Sequence, residues 1–299
     1  MIKLHSKRLP ITVIEPEKKS FLGFFVNIWR YRHFLFYFSI YAMKYRYKQT
    51  ILGWFWSVIR ALFPLLVFNV IFGKLAEIDN TIEVPYFLFL LIGTTLWNFL
   101  SRSLLEITLS LSRLRKISSK LDFPRVIILI ASISPGFVEM ISYLVLLIAS
   151  IIFFFVTEGK LYIHLRLELF FSLFFIALTS ILVLGIGFFT SVLNNRARDV
   201  RYSLPYIVQF WFYATPVIYP LSYIKSHWKW LISLNPMTVI VEGFRWSLLG
   251  TGELNITHLV ICTLAISFLF IVGLNFFNNA DLEPQNHLAA LDSLEEIDE

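Results

Sequence analysis

The sequence predicts an all-α integral membrane protein with six transmembrane helices, an N-terminal interfacial helix, and short helices dipping back into the membrane between the fifth and sixth spans. Three observations predict this class. Hydrophobic residues make up 57% of the 299 and charged residues 15%, with a mean hydropathy of +0.71; so little polar side chain cannot cover a soluble globule of this size. The apolar residues fall into runs of about 20 or more, the length a helix needs to cross roughly 30 Å of hydrocarbon. The basic residues gather between particular runs instead of along one face, so the net charge of +6 reads as membrane topology and not as affinity for nucleic acid.

Each element follows in order. Residues 1–20 form a charged segment containing Pro10 and Pro16, with no apolar core of a secretory leader, and are expected in the cytoplasm. The transmembrane domain covers 21–280. It opens with a stretch at about 24–48 that alternates bulky aromatics with Arg30, Arg32, His33, Lys44, Arg46 and Lys48. That pattern suits a helix at the inner headgroup layer, although a plain basic anchor for the first span accounts for the same charges. Spans are expected at about 54–72, 86–105, 126–156, 167–193, 203–220 and 256–277. The fifth closes on Pro216 and Pro220, so it should break before it fully exits. The stretch LSYIKSHWKWLISLNPMTVIVEGFRWSLLG mixes polar and apolar residues too evenly to cross as one helix and should divide near Asn235 and Pro236. Residues 281–299 hold seven acidic residues and no basic one, which predicts a solvated, partly disordered end.

Counting Lys and Arg orients the chain. Ten precede the first span, five (Arg113, Arg115, Lys116, Lys120 and Arg125) occupy an expected loop from Ile107 to Arg125, and three lie in NNRARDVR. These regions should be cytoplasmic, which puts both termini inside. Arg245, with Lys225 and Lys229, then falls to an outer loop.

Several chemistries have no support. The phosphate-binding pattern G-x-x-x-x-G-K-[ST] is absent, its nearest approach being Gly73 and Lys74 followed by Leu75. His5, His33, His164, His227, His258 and His287 are scattered with no metal-ligand spacing, Cys262 is alone, and no serine sits in G-x-S-x-G, so no metal and no catalytic residue is assigned. Three ionisable residues fall within the spans: Arg60, Arg102 and Glu139. Both arginines are expected to snorkel to an interface. Glu139 follows Ser134, Pro135 and Gly136 in a run too long for one straight helix, and is either a structural carboxylate or a group at a kink facing a wet interior.

The phrases YKQTILGWFWSVIRALFPLLVFNVIFGKLA, VPYFLFLLIGTTLWNFLSRSL, KLDFPR, NNRARDVRYSLPYIVQFWFYATPVIYP and NPMTVIVEGFRWSLLG, in this order from about Tyr47 to Gly250, resemble the permease subunit of ABC-2 type polysaccharide exporters. These move O-antigen, capsule or teichoic-acid polymers. The resemblance implies a homodimer working with two copies of a separate ATPase in a bacterial inner membrane. ATP and Mg would sit on that partner, with no cofactor on this chain. The chain departs from the family at Arg60, where a neutral polar residue is usual, and in its longer acidic tail.

The resemblance supports the loop as the coupling element, and the chemistry of the residues suggests the other roles. Arg113, Arg115, Lys116, Asp122, Pro124 and Arg125 would couple the first cytoplasmic loop to the ATPase, with Arg30, Arg32, Lys44, Arg46 and Lys48 forming a collar on the anionic leaflet. Trp97, Phe99, Trp211, Phe212 and Tyr213, with Glu139, are the expected passage residues, each aromatic having packing or the lipid belt as its alternative. Trp228, Trp230 and Trp246 would rest at the outer headgroups around a break at Pro236. Two other classes stay open: a membrane-embedded glycosyl-lipid enzyme, for which Glu242 and Glu253 are the only, and poor, candidates for an outer-loop acid or base, and an ABC-2 permease for a drug or simple lipid.

Overall fold

The computed structural model describes residues 21–47, 52–118, 124–163, 167–251 and 254–295. Residues 1–20, Lys48 and Asp122 lie outside the described residues, as do the side chains of Arg46, Arg115 and Lys116. The described residues are helical without a strand: α1 (Phe21–Arg30), α2 (Arg32–Tyr47), α3 (Phe55–Phe68), α4 (Tyr86–Ser118), α5 (Val126–Ala131), α6 (Ser134–Glu158), α7 (Phe171–Arg196), α8 (Asp199–Tyr213), α9 (Ser226–Ser233), α10 (Pro236–Leu249) and α11 (Ile256–Glu295). Helix is what hydrocarbon demands, because it pairs backbone groups within one segment.

Five helical runs are long and apolar enough to cross a membrane: Phe55–Leu75, Tyr86–Arg113, Val126–Glu158, Leu167–Arg196 and Ile256–Ala280. The most apolar window of α4 is 78% buried, against 17 to 33% for the others, so α4 is the central post. It packs between α6 and α7; α11 lies on the far side of α7, α3 flanks α6, and α8 and α10 lean on α4. Small residues bring α7 and α11 together: a Cβ on Gly273 would stand 2.6 Å from the Gly185 carbonyl oxygen. Phe189 stacks on Phe276 at 5.0 Å below that crossing. Between α4 and α7 the contact is polar, with Thr108 and Thr190 hydroxyls 2.7 Å apart and the Asn194 amide donating to the Thr108 carbonyl at 2.9 Å.

Four expectations change. The stretch expected as a loop from Ile107 is helical to Ser118, because charge alone does not end a helix and no breaker occurs before Pro124. Arg113, Arg115 and Lys116 therefore ride on α4, while Pro124 and Arg125 stand at the entry to α5. The single interfacial helix is two helices meeting at Tyr31; α1 seats Phe24 against Phe270 of α11, whereas α2 packs on α5 and α6. The fifth expected span contracts to α8, whose 15 residues reach only about 22 Å. Finally, α11 runs on as helix through the acidic stretch to Glu295, where partial disorder was expected.

The third run breaks as its proline requires. Pro135, at the start of α6, has no N–H for the Ala131 carbonyl four residues earlier, and the Ser134 hydroxyl donates to that oxygen at 2.7 Å. The same hydroxyl lies 3.1 Å from the Ser39 carbonyl of α2, so the kink is also where α2 attaches.

Candidate functional site

A groove of about 400 Å³ opens where α3, α4, α6 and α8 meet. Its walls mix aromatic, amide and charged groups: Phe68, Trp97, Phe212 and Tyr213 with Arg60, Asn98, Glu139 and Gln209. The rings form one cluster, Trp97 lying 5.4 Å from Phe212 and Phe212 lying 5.4 Å from Tyr213, with Phe68 6.4 Å from Phe212 on the α3 side. Trp97 is buried and Tyr213 exposed, so the cluster runs from the core to the open side. Asn98 is held by donation to the Thr94 carbonyl at 2.8 Å.

From the groove a ladder of alternating charge descends along α4. Glu139 lies 3.7 Å from Arg102, Arg102 pairs with Glu106 at 2.5 Å, and Glu106 pairs with Arg113 at 2.5 Å. Arg102, expected to snorkel to an interface, is paired with two carboxylates, as an ionisable group within an apolar run requires. Glu106, one helical turn beyond Arg102, is the residue that sequence reading missed, although the Arg-x-x-x-Glu spacing on a helix was the available signal. The ladder's lower half faces a cavity of about 300 Å³ against Phe38, Tyr41 and Ala42 of α2. Beyond it, Arg113 joins Arg198, Arg201, Asn194 and Asn195 around a basic recess of about 450 Å³.

Two of the expected passage aromatics lie elsewhere. Phe99 is fully buried with its ring 4.7 Å from Phe137, and so faces α6 instead of the groove. Trp211 turns away to donate from its indole nitrogen to the Asn235 side chain at 2.9 Å, with its ring edge-on to Trp97 at 5.6 Å. Asn235 also accepts from the Met237 amide at 3.0 Å and donates to the Thr215 hydroxyl at 2.8 Å. One amide thus caps α10 and ties the break before Pro236 to the end of α8. The collar residues Arg30, Arg32 and Lys44 are exposed, Arg32 lying 5.3 Å over the Trp29 ring.

The largest surprise is Arg245. Expected in an outer loop, it is 1% exposed. Its guanidinium donates to the carbonyls of Phe89 at 3.3 Å, Pro216 at 2.8 Å and Val217 at 2.5 Å, and to Glu242 at 2.9 Å, with its carbon 3.6 Å over the Phe89 ring. The Tyr86 hydroxyl takes the next carbonyl, that of Ile218, at 2.7 Å. The non-helical chain after α8 is thereby satisfied by side chains, which is the condition for irregular backbone in an apolar setting. Trp228 and Trp230 of α9 are exposed, and Trp246 packs edge-on to Phe171 at 5.9 Å.

The family model for ABC-2 type transporters matches residues 23–249, most of the described bundle. The chain belongs to the ABC-2 type transporter family. Among relatives of this ABC-2 chain, two O-antigen export system permease proteins RfbA from Klebsiella pneumoniae are 26% and 27% identical over 238 residues, 79% of this chain and 87% of theirs. An O-antigen export system permease protein RfbA from Myxococcus xanthus is 24% identical over 224 residues, 73% of this chain and 81% of its own length. The match embraces every element of the groove in this ABC-2 chain, from α3 to α8, and helices α9 and α10. It is a multi-pass membrane protein and a transporter component.

Proposed function

We propose that this chain is the permease subunit of an ATP-driven exporter that carries a lipid-linked cell-surface polysaccharide, of the O-antigen, capsule or teichoic-acid kind, from the cytoplasm across a bacterial inner membrane. One observation carries the reading: a groove at membrane depth is open on one side, yet is lined by two charges and two amides among aromatic rings. Lipid cannot cover such a wall without a cost of several kcal/mol, so water and a second protein surface must. A second copy related by a two-fold axis supplies the matching wall and encloses a hydrated passage. Sugars fit its chemistry, since ring faces pack on aromatics while hydroxyls bond to amides and carboxylates. The names of the relatives support the same cargo.

The motor is a separate ATPase, because the sequence has no phosphate-binding motif, and the two-fold arrangement calls for two copies of it. The basic end of α4 and the turn between α7 and α8 form its docking surface, where Arg113 stands beside Arg198 and Arg201. Both termini lie in the cytoplasm, and α9 with α10 cap the outer end, following the distribution of basic residues. The test is a deletion strain complemented with the wild-type gene. Export function predicts loss of surface polymer with lipid-linked polymer accumulating inside, and recovery of the ATPase with the tagged permease. Normal surface polymer with a changed drug or lipid efflux would refute the cargo, and short unpolymerised glycolipid would indicate an enzyme.

A further inference from the structure

At the end bearing α9 and α10, away from the groove, a cavity of about 840 Å³ lies between the approach to α4, the turn after α8, helices α9 and α10, and the start of α11. Its size falls within the range of small-ligand sites, roughly 300–1,000 Å³. The lining includes Glu83, Lys229, Trp230, Glu242, Asn255 and His258. The passage proposed above uses none of their side chains. The floor is rigid, because Arg245 also lines the cavity and its side chain is pinned by three backbone carbonyls and Glu242.

The charges say what the cavity takes. Two carboxylates and two cations line it, and one cation, Arg245, directs four of its five N–H donors to protein. A phosphate entering would meet Glu83 and Glu242, and a metal ion would meet Lys229 and Arg245. No three His, Cys, Asp or Glu side chains among the described residues are grouped so as to hold a metal ion. A neutral polyhydroxyl compound suits both signs, since each hydroxyl donates to a carboxylate and accepts from an ammonium or amide. Trp230 supplies what that chemistry still needs: its indole is 63% exposed and borders the cavity, a flat apolar face for the C–H side of a pyranose ring.

We propose that this cavity is a saccharide-binding subsite on the outer face, separate from the groove, that holds a short segment of the emerging polymer through Trp230, Glu83, Lys229, Glu242, Asn255 and His258. The proposal rests on the export reading for the identity of its sugar. Holding the emerged end would bias the chain against sliding back between power strokes.

The experiment uses the full chain in nanodiscs, with its ATPase, and oligosaccharides released by mild acid from the host's own surface polymer as the probe. Titration calorimetry should show saturable binding, weakened at least tenfold by Trp230→Ala with Asn255→Ala. Trp228→Ala serves as control: that indole is 54% exposed on the same short helix but does not line the cavity, so binding should be unchanged. Thermal melting of each variant checks that the fold survives; should Asn255→Ala unfold it, Trp230→Ala alone must still weaken binding. No binding by wild type, equal loss with Trp228→Ala, or binding unaffected by the paired substitution overturns the subsite. Displacement by glycerol phosphate instead of by the oligosaccharide also overturns it. Failure of the export reading is separate: it appears as normal surface polymer in the deletion strain, whatever calorimetry gives.

Discussion

Replacing Arg245 by Met tests whether side chains secure the broken segment after α8. Methionine keeps much of the length and apolar stem but removes every donor, so the carbonyls of Phe89, Pro216 and Val217 lose the guanidinium, and Glu242 loses its ionic partner. Each bond to a charged donor is worth about 1.5–3 kcal/mol, and a buried carbonyl left unsatisfied costs about 1–3 kcal/mol. These terms overlap, and α10 can relax, so the net loss is set by the cost of removing one partner of a buried pair, about 3–5 kcal/mol. At roughly 2–4 °C per kcal/mol for a chain of this size class, the melting temperature in detergent should fall by about 6–20 °C. Arg245→Lys should recover less than half of this, since an ammonium is a single point and cannot reach three carbonyls and a carboxylate at once. Fluorescence-detected size exclusion after heating reads the shift directly. A drop under 2 °C for Arg245→Met would show that the segment from Pro216 to Ile218 is held by something other than this clamp.

Three further outcomes are expected. Gly93→Ala should destabilise by about 1–3 kcal/mol, read by the same melting assay, because the added methyl meets the pinned Arg245 guanidinium and lies 3.1 Å from the Val217 carbonyl; in an Arg245→Met background the effect should shrink. Glu106→Gln should lower the melting temperature by several degrees by leaving Arg102 and Arg113 without their shared carboxylate, whereas Arg113→Gln, the more exposed end of the ladder, should cost under about 1 kcal/mol. Charge reversal at Arg113, Arg115 and Lys116 should leave an inserted, folded protein that recovers at least tenfold less ATPase on affinity purification and exports no polymer; normal export would move the coupling role to the collar, where neutralising Arg46 and Lys48 should otherwise disturb only insertion or tilt.

Much of the groove was legible and its membership was not. Trp97, Phe212, Tyr213 and Glu139, each read as a passage candidate, line one groove. Asn98 and Gln209, which join them, carried a readable sign, each being a polar residue in an apolar run. Phe99 and Trp211 failed because adjacent helical residues point about 100° apart, so Trp97 and Phe99 cannot both face one groove. The Ile107–Arg125 stretch failed for another reason: basic residues mark a membrane boundary, but a helix ends only where its backbone is interrupted.

By itself the sequence determined that this chain lives in lipid, where its long apolar helices lie, which family it belongs to, and that it has no nucleotide motif of its own. Those properties are sums and patterns along the chain, and the bilayer reads them in the same one dimension. Only the tertiary structure decided that Arg102 is shared between Glu106 and Glu139, and that Arg245 closes over the broken end of α8. In hydrocarbon a lipid-facing leucine and a protein-facing one carry the same hydropathy, so which helix faces which is settled by close packing and by the need of each buried charge for a partner, and that partner can lie 37 residues away, as Glu139 does from Arg102, or much farther.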